Sequence, residues 1–174
     1  AARRWRSPTA TSRAARLRAA RLVAVGDRHL RAAAGNPARL TAAVDAYRRA
    51  ATIAQDQADI HLRQALALVA LDHPEQADEA IARAVAIDGR LAAVPAPPAA
   101  GLQPAGRPDA VFGDRPAGTP PPFAVRGAAI LREIAAEAAG TEGGGRVVAA
   151  LAAGWSRRFD PGLGAIAANP AAGR

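Results

Sequence analysis

Histidine is the side chain in this sequence best suited to proton transfer or metal binding, and there are three, His29, His61 and His73. A metal site needs several ligands brought together, and none of the three has a carboxylate at ligand spacing. Each is therefore read as a helix-surface or turn residue. The run Gly140-Thr141-Glu142-Gly143-Gly144-Gly145 is rich in glycine, but it lacks the Gly-Lys-Ser/Thr ending that grips phosphate and magnesium, and no strand precedes it. It reads as a turn. Ser156 follows Gly154-Trp155 but is succeeded by Arg157-Arg158, not by the glycine two residues on that a nucleophile elbow requires. With no cysteine in the chain, thiolate chemistry and disulfides are excluded. No catalytic residue, cofactor or metal is expected, and the chain is read as a non-enzyme.

Charge gives a second candidate chemistry. All 23 basic residues are Arg, a bias that fits GC-rich coding, and residues 1–40 hold ten of them against the single acid Asp27. Residues 41–174 are nearly balanced, with thirteen Arg against fourteen acids, so the formal net charge of +8 belongs to the N-terminal part. Arg3, Arg4, Trp5, Arg6, Arg13 and Arg16 could neutralise phosphates and stack on a base, which makes nucleic acid or an anionic surface the alternative partner. A solvated helix flank is the favoured reading of the same residues.

Those candidates must be positioned by helices. Ala dominates the apolar half of the composition and aromatics are only 3%, which suits closely approaching helices and starves a β-sandwich of the residues it needs. Periodicity predicts helices over about 13–34, 39–54, 58–71, 75–88, 125–139 and 146–158, with Ser12 as the cap of the first. Gly35-Asn36-Pro37 and Asp72-His73-Pro74 supply turns between them. Nine of the fourteen prolines lie between Pro95 and Pro122, which marks a linker. The expected organisation is a basic arm (1–12), helical repeats (13–91), a Pro/Ala/Gly-rich linker (92–123) with Val111-Phe112 as its apolar pair, a C-terminal helical hairpin (124–160) and a tail (161–174). No stretch of about 18 uncharged apolar residues occurs, so no transmembrane helix is expected. The opening Ala1-Ala2-Arg3-Arg4 and the lack of any Met suggest a native start upstream, and the cytoplasm is the favoured location.

A shift of 34 residues aligns the second helix with the fourth: Ala43 on Ala77, Ala46 on Ala80, Tyr47 on Ile81, Ala50 on Ala84, Ala51 on Val85 and Ile53 on Ile87. In this the chain resembles the tetratricopeptide repeat family, whose unit is two antiparallel helices with small residues where they approach and a bulky one between. Gly26 and Ala65 stand at the small positions of the first helices. Ala43, Ala50, Ala77 and Ala84 stand at those of the second, with Tyr47 and Ile81 at the bulky ones. His61 replaces the family's usual first-helix Trp, and the turn at 34–40 is longer than the family's. Ala149, Ala153, Ser156, Phe159 and Asp160-Pro161 reproduce the second-helix spacing as a possible third, degenerate unit.

The resemblance implies an all-α fold, a short α-solenoid of antiparallel helix hairpins. It also implies a protein–protein interaction or scaffolding role, in which another protein or peptide is held on a concave surface lined by the first helices. The candidate groove residues are Asp59, Leu62, Arg63, Leu66, Val69 and Ala70, with the core as the competing assignment for the three apolar ones in its centre, Leu62, Leu66 and Val69. Leu62 and Leu66 occupy positions where chaperone-binding members carry carboxylate-holding Lys and Asn, so that specialisation is not expected.

Overall fold

A computed structural model describes residues 13–92, 120–138 and 144–159. Arg3, Arg4, Trp5, Arg6, Ser12, Val111-Phe112, Asp160-Pro161 and the 161–174 tail lie outside them. Among the described residues all regular structure is helical: α1 (Arg13–Arg31), α2 (Pro37–Ile53), α3 (Ala58–Ala70), α4 (Pro74–Ile87), a 3-10 turn (Gly89–Leu91), α5 (Pro122–Ala138) and α6 (Gly144–Phe159).

Proline begins three of these helices, where its missing N–H costs no intrahelical bond and its fixed φ suits the first turn. Pro37 and Pro122 therefore start α2 and α5 a few residues before periodicity placed them, and Phe123, assigned to the linker, is buried inside α5. Asn36 caps α2, its side-chain oxygen accepting from the Ala38 N–H at 3.0 Å. At the end of α3, Asp72 takes φ +59°, and the N–H groups of Asp72 and His73 return to Val69 O and Leu68 O at 3.1 and 3.0 Å. These two bonds satisfy carbonyls that the ending helix would leave bare.

Helices consecutive in sequence pack on one another from α1 to α4, and α5 packs on α6. Burial follows the 34-residue alignment, since Ala43, Ala77, Ala50 and Ala84 are all fully buried, as are Tyr47 and Ile81. Two close approaches fix the geometry. A Cβ on Gly26 would overlap the Tyr47 ring, with Cδ1 at 2.8 Å, so α1 can meet α2 here only without a side chain. Gly127 does the same for Trp155, whose Cε2 would lie 2.6 Å from an added Cβ. Trp155 donates its Nε1–H to Ala124 O at 3.0 Å, and its ring packs at 4.5 Å from Phe159 and 6.4 Å from Phe123. Ala149, which the degenerate-unit spacing would place at a helix crossing, is exposed instead, and Ala153 is partly buried.

Candidate partner-binding site

The two helices expected to line a binding face, α1 and α3, are both contacted by α5 and by α6. No comparable contact joins α5 or α6 to α2 or α4. The α5–α6 pair thus lies across α1 and α3. At its edge Arg158 reaches the start of α4, with Nη2 2.7 Å from Asp78 Oδ2.

The six groove candidates divide three ways. Leu62 and Leu66 are buried, so they serve the core and offer no open surface. Val69 and Ala70 line an open apolar groove of about 560 Å³ between the last turn of α3 and α6, opposite Val147, Leu151 and Gly154. Asp59 and Arg63 are engaged in ion pairs that reach α5.

Those ion pairs form a continuous chain. It begins at Asp27 on α1, only 8% exposed in its side chain, which accepts from the Tyr47 hydroxyl at 2.6 Å and from Arg63 Nη1 at 2.8 and 2.9 Å. Arg63 turns its Nη2 outward to Glu133 on α5 at 3.1 Å. Glu133 accepts from Arg126 Nη1, also at 3.1 Å, and Arg126 grips Asp59 with Nε at 3.0 Å and with Nη2. Beside this chain Arg31 on α1 pairs with Glu137 on α5 at 2.5 Å.

The planar guanidinium fork suits this task, since one Arg can hold two carboxylates in separate directions. Burial, with the Asp27 charge beside it, pushes the Tyr47 phenol well above its ordinary range, so it stays a donor. The fork on Asp59 and Glu133 raises Arg126 further above the usual guanidinium range.

None of the histidines joins this network. His61 is buried, and burial, aided by Arg83, lowers its pKa, so it is neutral with Nδ1 lacking a hydrogen-bond partner. His29 is half-buried and His73 exposed. Ser156 is buried in α6. Among the described residues no three His, Asp or Glu side chains converge as metal ligands, and no helix is long and apolar enough to cross a membrane. Of the polyanion candidates, Arg13 and Arg16 are exposed on α1, and Arg16 approaches Asp56 at 3.7 Å.

Sequence reasoning missed Asp27, Tyr47, Glu133 and Arg126 as members of one network, and the Arg31–Glu137 pair beside it. One signal was available: Asp27 falls on the apolar stripe of α1 with Val23 and Leu30, where a charge needs a partner. No protein-family model matches the chain, and neither curated proteins nor solved structures give a match.

Proposed function

We propose that this protein is a polypeptide-binding module of tetratricopeptide type, without catalysis, in which α1–α2 and α3–α4 act as two hairpins and the α1/α3 face receives a helical segment. The observation that carries this reading is the position of α5–α6, a helical polypeptide lying across the two helices that the repeat pattern assigns to the binding face. The 34-residue recurrence of buried Ala at the crossings supports it further, because close approach of helix axes is what leaves such a face regular.

The test uses a fluorescent peptide spanning residues 120–159, added to the full chain and to the double variant Arg126→Asp/Glu137→Arg, whose own α5 is repelled by an unchanged face. The peptide binds the variant more tightly than the unmodified chain, since the competing segment in cis is weakened. If it binds neither protein while both keep their helical signal, the reading fails.

A second reading keeps the arginines of α1. Arg13, Arg21 and Arg28 are exposed and fall within about 80° of one another around the helix, a basic flank with no exposed acid on α1. Polyanion binding through that flank would weaken steeply with salt, so heparin retention that is insensitive to ionic strength rules it out.

A further inference from the structure

Eleven residues surround the groove between α3 and α6; ten are apolar or glycine, and the eleventh is Arg157. Leu40, Val147 and Leu151 are buried and form its floor. Ala70, Ala150 and Gly154 carry too little side chain to fill the space above them. A Cβ on Gly154 would meet only Val69 Cγ1, at 3.9 Å, so α6 leaves the groove open at this point. The volume of about 560 Å³ falls within the range of about 300–1,000 Å³ that small-molecule sites occupy.

Arg157 stands where this apolar surface meets a smaller hollow of about 300 Å³, which shares Val69, Gly154 and Arg157 with the groove and is also lined by Asp72 and Arg158. The two arginines differ in what they already hold. Arg158 is committed to Asp78 Oδ2 at 2.7 Å and reaches Pro74 O at 3.4 Å. Arg157 is exposed and makes neither an ion pair nor a hydrogen bond among the described residues. An apolar trough thus ends at one cation whose donors are unused.

From this we infer that the groove is a binding site for an unbranched alkyl carboxylate, a ligand of the fatty-acid class, with its tail along Leu40, Val147 and Leu151 and its carboxylate on Arg157. The inference goes beyond the polypeptide-binding reading and does not rest on it. An extended peptide would bring an N–H and a C=O with every residue, and the side chains along the groove offer nothing to pair with them. An alkyl chain brings no such groups. The guanidinium fork matches a carboxylate in shape and in its single charge. A bulkier phosphate head would extend into the hollow towards the like charge of Asp72.

The test is calorimetric titration of the full chain with decanoate below its micellar concentration, beside decanol and decylammonium. Decanoate binds at one site per chain, and affinity rises by up to about fourfold for each methylene between octanoate and dodecanoate, the gain from burying that group. Arg157→Gln weakens decanoate roughly tenfold and leaves decanol unchanged, because only the carboxylate uses the guanidinium. Gly154→Leu places a side chain in the open groove and abolishes binding of both, while its melting temperature stays level or rises, since a glycine has left a helix interior.

Undiminished decanoate binding by Gly154→Leu overturns the inference, because the anion would then be adsorbed elsewhere, as on the arginines of α1. Decylammonium bound as tightly as decanoate overturns it as well. So does a chain that self-associates in light scattering and becomes monomeric on Gly154→Leu, which assigns the groove to a second copy. If Gly154→Leu loses its helical circular dichroism, Ala150→Leu, at an exposed residue on the same rim, gives the same comparison.

Discussion

Replacing Gly26 by Ala sets two known effects against each other, and the structure decides which wins. Removing a glycine from the interior of α1 favours the helix by about 1 kcal/mol. Against this, the new Cβ meets Tyr47 Cδ1 and Cζ at 2.8 Å, well inside carbon–carbon contact, so the ring or the helix axis must move by roughly 1 Å. The ring has little freedom to move. Tyr47 is fully buried and its hydroxyl is held at 2.6 Å by Asp27, itself fixed by Arg63. Overpacking of this kind costs about 1–3 kcal/mol, and a weakened hydrogen bond to a charged acceptor adds about 1–2 kcal/mol. The net expectation is a loss of about 1–4 kcal/mol, read by urea denaturation followed at 222 nm. The same change in a Tyr47→Leu background meets no ring, so there it should be neutral or stabilising by up to about 1 kcal/mol. The double-mutant cycle isolates the contact from helix propensity. A Gly26→Ala chain as stable as the original, or an equal loss in both backgrounds, would refute the claim that ring contact sets the α1–α2 distance.

Two further outcomes follow from the same packing. Ala84→Leu, at a fully buried crossing, should destabilise by about 1–3 kcal/mol, while Ala82→Leu on the exposed side of α4 should change thermal stability little; equal effects at both sites would contradict the 34-residue register. Tyr47 is the sole tyrosine, so tyrosinate absorbance titrates one group: its folded pKa is raised, so this contribution to stability is fully present below the unfolded phenol value near 10 and is lost as pH rises above it. Absorbance should therefore rise only together with alkaline unfolding, and ionisation near pH 10 in a chain that remains folded would contradict the buried Asp27 pairing.

What the sequence reveals depends on the range of the interaction. Helices α2, α3 and α4 are written in local signals, namely the recurrence of Ala at crossings and the punctuation of Asn36-Pro37 and His73-Pro74, and their limits fall within two residues of those expected. Phe123 was assigned to the linker because proline counts blur the point where Pro122 stops belonging to a proline-rich run and starts a helix. The site was less legible. Asp27 counts in the sequence as a lone acid among arginines, yet its partners Tyr47 and Arg63 stand 20 and 36 positions away. Glu133 meets Arg63 across 70 positions, and no periodicity reports a contact at that separation. Gly127 and Trp155 likewise declare themselves only in three dimensions, because neither residue alone distinguishes a helix crossing from a turn or a core.

Arg63 shows how one side chain can serve stability and recognition without conflict. Its Nη1 is committed to Asp27 on α1, a pair whose side chains are 13% and 8% exposed, so removing either partner would leave an uncompensated charge in a buried place. Its Nη2 faces Glu133, whose side chain is about half exposed, in a pair of the kind that contributes between about 0 and 1 kcal/mol. The energies are thus arranged by depth, with the costly pair between α1 and α3 and the inexpensive pair between α3 and α5. Apolar contact with α6 supplies attachment, and the exposed charges supply register.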